Sequence, residues 1–386
     1  MQLKYGCNPN QKRASAEPLD PKNPPFEVRN GKPGYINLLD ALNAWQLVSE
    51  VKQALGLAAA ASFKHVSPAG AAVAVPLGED LARLYEVQEV ELTPVATAYI
   101  RARGADPKSS FGDFVAVSDP VDAPTAEFLK TLVSDGIVAP GYDPEAFKIL
   151  AGKKRQSFII LQARTEFRPP ELESREVFGM KLTQSRNSEV VTASHLEKVV
   201  CGQLTPEAKR DLVLALTTIK YTQSNSVGYA VDGQMIGIGA GQQSRVDCTK
   251  LAGGKADVWH LGRHPGVLGL KFKAEVKRQE RINSRVRYIE GDLVPLEVEA
   301  LRAALDQPLE LLDEQEKKEW IAERLTGVCM ASDGFLPFRD NIDHAAKHGV
   351  KFIAQPGGSV RDDDVTRACQ QYGISMAHTG LRLFHH

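Results

Sequence analysis

An excess of charge of either sign is missing from this 386-residue sequence: 47 Lys and Arg face 48 Asp and Glu, a formal net charge of −1. A chain so balanced carries no global field that would draw it to nucleic acid or to an anionic membrane. Cysteine is sparse. The five, Cys7, Cys201, Cys248, Cys329 and Cys369, are scattered, odd in number and never spaced as Cys-x-x-Cys. That fits free thiols in a reducing cytosol better than a disulfide framework. No zinc is expected, because the His-x-Glu plus Pro-Cys-x-x-Cys pattern of zinc deaminases is absent. No apolar run approaches the length of a bilayer span, and residues 1–6 show no basic-then-apolar leader pattern. The expected compartment is the cytoplasm. Neither a P-loop nor Gly-x-Gly-x-x-Gly occurs.

What is present is ordinary for a globular protein: 43% hydrophobic and 25% charged residues. At roughly 100–200 residues per domain, the length suggests two or three domains or lobes. Residues 1–35 are polar and rich in Pro, Lys and Asn, and composition alone reads them as a solvated arm. Residues 37–57 have helical spacing, with Leu38, Leu39, Ala41, Leu42, Trp45, Val48, Val51 and Leu55 on one face and Gly56 as the stop. Residues 58–63 read as a buried strand that ends at Lys64 and His65. Ser67-Pro68 could then open a helix, or residues 71–75 could form a strand. Residues 101–110 read as a polar stretch, 111–118 as a turn entering a strand, 123–133 as a helix, Asp135-Gly136 as a turn and 157–161 as a strand.

The second half repeats part of this plan. Ser134-Asp135-Gly136 recurs as Ser332-Asp333-Gly334. The run around Lys64 has a weaker echo at Lys220, followed by 227–231, Asp232-Gly233 and 234–238. Asp-Gly between two apolar runs is a strong hairpin signal, and it tips 71–75 towards strand. The unequal spacing of the two copies implies an insertion, placed at 263–325 by its charged, helical pattern.

Five constellations carry chemistry. Lys64-His65 sets a cation beside an imidazole in a small, apolar run. Adjacent strand residues face opposite ways, so both serve one site only where the strand has ended or bent; residues 67–70, Ser-Pro-Ala-Gly, are read as that bend. There a His base is worth about 10²–10⁴-fold and an oxyanion donor about 10²–10³-fold. The plain alternative is an exposed basic pair at a strand end. Thr222-Gln223-Ser224-Asn225-Ser226 offers hydroxyl and amide groups that orient a polar substrate or ligate a hard cation, or simply close a turn. Residues 237–245 are glycine-rich and end in Arg245; they allow close approach to a phosphate or carboxylate, or close packing. Residues 335–341 combine Phe335 and Phe338 with Asp340, a sandwich for a flat ring or a packed helix entry. The last ten residues alternate apolar and polar as a docked strand would, leaving Arg382 available to an anion.

In order along the chain, Lys-Tyr-Gly-x-Asn-Pro at 4–9 and the stretches 62–73, 101–117, 134–142, 220–227, 237–245, 335–341 and 381–386 together resemble the transformylase part of a bifunctional purine-biosynthesis family. That family joins 5-aminoimidazole-4-carboxamide ribonucleotide (AICAR) formyltransferase to inosine monophosphate (IMP) cyclohydrolase. The resemblance covers the whole chain. It implies formyl transfer from 10-formyltetrahydrofolate, the co-substrate, to the AICAR amine. It implies an α/β architecture: a duplicated cytidine-deaminase-like fold without zinc, in two pseudo-equivalent lobes (1–165; 166–262 with 326–386) and a helical insertion at 263–325. It also implies a homodimer with shared active sites.

Carried over by position, His65 is the base, Lys64 stabilises the transition state, and Asn225 orients the amine and carboxamide. Lys4, Tyr5, Lys154 and Arg382 hold the phosphate. Gly112, Asp135 and Phe335 contact AICAR, joined by Arg245 from the partner subunit. Val246, Asp340, Ser359 and Val360 line the folate site, and Thr222, Ser224, Ser226 and Asp333 mark a potassium site. Two departures stand out. Lys4 replaces an Arg common in the family, turning a bidentate grip into a point charge, and Asn10 replaces a His. The cyclohydrolase region is missing from this sequence, so no ring closure is expected of it and a separate IMP cyclohydrolase would act downstream. Two other readings are a non-catalytic nucleotide- or folate-binding regulator, which intact Lys64, His65 and Asn225 argue against, and an enzyme using formate and ATP, which the lack of an ATP motif argues against.

Overall fold

In the computed structural model, which describes residues 1–386, the first half runs β1 (Phe26–Asn30), α1 (Tyr35–Leu55), β2 (Ala59–Lys64), β3 (Ser67–Val73), α2 (Glu79–Leu84), α3 (Pro94–Gly104), β4 (Asp113–Val117), α4 (Ala123–Lys130), β5 (Ser134–Ala139), α5 (Pro144–Ala151) and β6 (Ile159–Ala163). A separate hairpin pairs β7 (Leu172–Val177) with β8 (Met180–Ser185). The second half opens with β9 (Val199–Cys201), α6 (Pro206–Lys220), β10 (Val227–Val231), β11 (Gln234–Gly239) and α7 (Arg245–Leu261). Four helices follow: α8 (Pro265–Leu268), α9 (Arg278–Glu290), α10 (Pro295–Ala304) and α11 (Glu314–Arg324). The chain closes with β12 (Val328–Ser332), α12 (Asp340–Ala346), β13 (Val350–Gln355), α13 (Asp362–Tyr372) and β14 (Ser375–His378).

Twelve strands form one mixed sheet in the order β1-β6-β5-β4-β2-β3-β11-β10-β12-β13-β14-β9. The order has the same plan from either end. In each half an antiparallel hairpin pairs with an antiparallel neighbour, two parallel strands follow, and a short antiparallel strand closes the edge. The halves meet at β3 and β11, antiparallel, through Ala72 and Gln234.

Strand alternation divides the core between two helical layers. Ala59, Ala61 and Phe63 pack in one cluster with α1 and α6, whereas Ala60 and Ala72 pack in another with α3. Helix α1 ends as its sequence predicts, on Gly56 at φ 69°, whose N–H bonds to Lys52 O. Thr205 caps α6 through Ala208 N, and Pro206 opens it. Two glycines let the helices of the other layer touch the sheet. A Cβ on Gly70 would lie 2.1 Å from Ala102 O of α3, and one on Gly237 would lie 2.0 Å from Ala252 O of α7. The glycine-rich run is thus a packing surface over 237–239. Helices α8 to α11 occupy the stretch read as an insertion and bury their own small cluster, with Leu261, Val267, Tyr288 and Leu301 among its members.

Several local expectations change. Ser67-Pro68 opens β3, not a helix. Residues 101–110 begin inside α3, where Arg101 is 0% exposed and bonds Val75 O, Pro76 O, Asp232 and Gln234. Asp135-Gly136 lies within parallel β5 rather than in a turn. The segment 1–35 is no free arm: Leu3 is buried, its N–H bonds to Ala14 O, and β1 pairs with β6. The strand order is mirrored, but the sequence echoes do not line up with it. Ser134 opens β5, whereas Ser332 ends β12, and Lys220 ends a helix, whereas Lys64 ends a strand. The true counterpart of the turn after Lys64 is Asp232-Gly233.

Candidate active site

Lys64 is the last residue of β2, and Ser67 opposite it is the first of β3. Only His65 and Val66 lie between, at φ 54° and 61°. Two left-handed residues in a two-residue hairpin loop make a type I′ turn. Asn and Gly favour such positions; a β-branched Val resists them, at a cost of about 1–3 kcal/mol. The chain reverses two residues earlier than the expected bend at 67–70. The strand has ended at His65, whose side chain is exposed, while Lys64 is half-buried.

Lys64 Nζ donates to Gly112 O at 2.9 Å. An ammonium has three protons, so two remain for a substrate oxygen. Gly112 sits at φ 74°, a left-handed conformation that favours glycine. A buried network fixes the loop behind it. Arg103 pairs with Asp113 at 2.6 Å, and Ser62 donates to Asp113 at 2.7 Å and meets Ser110 at 2.8 Å. Lys154 pairs with Asp135 at 2.7 Å, which joins two expected substrate residues beside this first half-site.

Beneath the turn lies a residue that motif reading missed. Asp40, on α1 and 5% exposed, accepts from Val66 N at 2.7 Å. Burial pushes its carboxyl up to about 6, against the pull of the Val66 N–H and the charges of His65 and Lys64; Asp135 adds a further upward push. The sequence does hold a signal for it: a lone acid among the inward positions of the helix.

The second half-site centres on Asn225, which follows a cis peptide after Ser224. Its Nδ2 donates to Gln242 O at 3.0 Å and Gln243 O at 2.9 Å, and its Oδ1 accepts from Arg245 at 2.7 Å. Both amide protons are committed, so only the remaining lone pair of Oδ1 is left for a further partner. Arg245 also bonds Ser332 at 3.1 Å and forms a close ion pair with Asp333. The half-sites approach each other where Gln223 N bonds Ser67 Oγ at 3.4 Å.

The expected cation residues converge in part. Asp333 accepts from Ser224 Oγ at 2.7 Å and from Ser226 N at 2.9 Å, whereas Thr222 Oγ1 turns to Thr218 O. An all-oxygen donor set suits a hard cation, although Arg245 already balances the one carboxylate. The chain end is ordered against this net: Leu383 N bonds Asp333 O, and His385 exchanges bonds with Ser224. Of the last ten residues only Ala377 and His378 are strand, as the end of β14.

The other expected residues are exposed or half-buried. Phe335 is exposed, as is Phe338. Arg382 stacks on Phe384 at 4.9 Å, and Lys4 lies 5.9 Å from the Tyr5 ring. Val246 is half-buried at the start of α7, Asp340 opens α12, Ser359 accepts from Arg361 N, and Val360 is fully exposed. None of these six, Phe335, Arg382, Lys4, Val246, Asp340 and Val360, bonds to Lys64 within the chain.

The family model described as AICARFT/IMPCHase bienzyme matches residues 1–255. The bifunctional purine biosynthesis protein PurH of Roseobacter denitrificans is 31% identical over 389 residues, and that of Cereibacter sphaeroides 32% over 390 residues. Each comparison covers 100% of this chain and 59% of the relative. The chain therefore spans about three fifths of the length of these curated relatives. It belongs to the AICARFT/IMPCHase bienzyme family.

Proposed function

We propose that this chain transfers the formyl group of 10-formyltetrahydrofolate to the AICAR amine. The observation that carries the reading is the turn at Lys64-His65, with an ammonium fixed by Gly112 O and two protons free. The AICAR amine is conjugated to its ring and carboxamide, so it must lose a proton as it attacks. His65 takes that proton. The amine nitrogen bonds to the formyl carbon, and Lys64 donates to the oxyanion that forms. The bond from the formyl carbon to N10 then breaks, and N10 receives the proton, giving tetrahydrofolate and formamido ribonucleotide. Asn225 Oδ1 accepts from the amine and turns it towards the donor.

Lys4, Tyr5, Lys154 and Arg382 supply groups for the phosphate, Gly112, Asp135 and Phe335 for the base, and Val246, Asp340, Ser359 and Val360 for the folate. A bound potassium ion would be held by oxygens of Thr222, Ser224, Ser226 and Asp333, and would brace the loop that carries Asn225. The mirrored halves support a duplicated cytidine-deaminase-like fold, with lobes 1–165 and 166–262 plus 326–386. Asn225 and Arg245 are bonded to each other in one chain, so in a homodimer with shared sites both serve the same centre.

The test is donor choice. Purified protein given AICAR should form tetrahydrofolate from 10-formyltetrahydrofolate and none from formate with ATP. Turnover only with formate and ATP would reverse the donor assignment.

A further inference from the structure

We propose that Asp40 is a positioning residue for the chemical step: its carboxylate clamps the turn that presents Lys64 and His65. The molecule contains the same device twice. Asp40 is the sixth residue of α1, and Asp211 is the sixth residue of α6, the mirrored helix. Asp40 Oδ1 accepts from Val66 N at 2.7 Å. Asp211 Oδ1 accepts from Gly233 N at 2.8 Å. Val66 and Gly233 each hold the second place of a two-residue turn, His65-Val66 and Asp232-Gly233, with all four residues at positive φ. Each helix thus fastens the hairpin that follows it by one buried carboxylate.

The two copies differ where function would require it. Asp232-Gly233 is a pair that favours this turn, and its clamp Asp211 is balanced by Arg210 at 2.8 Å. His65-Val66 resists the conformation, so the first turn depends more on its clamp. Asp40 has no arginine partner; the charged groups that face it are Lys64 and His65 on the turn and Asp135 on β5, itself paired with Lys154. A buried acid is thus retained where it fixes the two residues that act on the substrate.

Asp211 supplies the internal control, and two readouts separate the clamp from the formyl-transfer reading on which its kinetic arm rests. In hydrogen exchange, Asp40→Ala should speed exchange of the Val66 amide by about 10-fold or more, while Asp40→Asn, whose amide oxygen still accepts, keeps it protected. In turnover, Asp40→Ala should lower kcat about 100-fold. The KM for AICAR should stay within about threefold, and Asp40→Asn should restore kcat to within about fivefold of wild type. Asp211→Ala should open the Gly233 amide and lower the thermal midpoint while leaving kcat within about twofold. Asp40→Leu, which fills the buried site without an acceptor, gives the same outcome as Asp40→Ala if the alanine variant fails to fold. Wild-type kcat in Asp40→Ala or Asp40→Leu, an unchanged Val66 amide, or an equal kcat loss in Asp211→Ala overturns the inference. Absence of turnover in the wild type would instead count against the formyl-transfer reading, with exchange at Val66 still deciding the clamp.

Discussion

Residues 64–66 hold the proposed base and oxyanion donor in a locally unfavourable conformation. Lys64 and His65 were legible as a basic pair in an apolar run, and the strand before them predicts that they lie at its end. The type I′ turn was not, because His-Val lacks the Asn or Gly that marks one, and the partner that holds it is 26 residues away. Arg103, Asp113 and Ser62 were hidden for the same reason: their pairing is made only once α3, β4 and β2 are assembled. Asp40 gives a pH prediction. Its carboxyl rises from 3.8 to about 6 on folding, so the folded state binds this proton more tightly than the unfolded state. Its contribution is then most favourable below about pH 4 and is lost as pH rises through about 6. A rise of that size corresponds to at most about 3 kcal/mol. Asp40→Asn should be more stable than wild type at pH 8, by about 1–2 kcal/mol, and equal to it near pH 4. Chemical denaturation at the two pH values measures this; a variant less stable than wild type at pH 8 would show that ionised Asp40 stabilises the fold.

Among elements, two strong local signals held, whereas the local turn signal at Asp135-Gly136 did not. The apolar face and terminal glycine predicted α1, and Asp-Gly predicted the β10–β11 hairpin. Elements decided by tertiary contact were misread. Arg101 looks like a loop residue until its guanidinium is seen to join four residues, Val75, Pro76, Asp232 and Gln234, across the two halves. The glycine-rich run allowed either anion approach or close packing, and the backbone of α7 lying on Gly237 and Gly239 decides for packing there. Two substitutions separate these roles. Gly237→Ala places a Cβ 2.0 Å from Ala252 O and should cost about 1–3 kcal/mol of stability. Gly254→Ala on α7 meets nothing within 4 Å and should gain up to about 1 kcal/mol. Thermal unfolding of both, side by side, checks the sign of each; a neutral Gly237→Ala would show that α7 can retreat from the sheet.

At the scale of the whole molecule, the mirrored strand order accounts for two half-sites. One half carries the Lys64-His65 turn and the other carries Asn225 with Arg245, and in the homodimer proposed above each site pairs the turn of one protomer with Asn225 and Arg245 of the partner subunit. The sequence echoes at Ser332-Asp333-Gly334 and Lys220 match residues that the mirrored strand order sets at different places, because helix–hairpin geometry recurs and the chemistry-bearing residues do not. If the working unit is a homodimer with shared sites, mixing inactive Lys64→Ala with inactive Arg245→Ala should restore about one quarter of wild-type activity, the share of sites left intact by random pairing. Lys64→Ala with Asn225→Ala should do the same, and Asn225→Ala with Arg245→Ala should not. No recovery in the first two mixtures, with subunit exchange demonstrated, would assign each site to a single chain. The most direct test of the central claim is formyl transfer from 10-formyltetrahydrofolate to AICAR, followed as tetrahydrofolate formed, in wild type and His65→Ala together. The account predicts turnover by the wild type and a rate at least about 100-fold lower in the variant, with AICAR still bound. No turnover by the wild type, or equal rates in the two proteins, would contradict it.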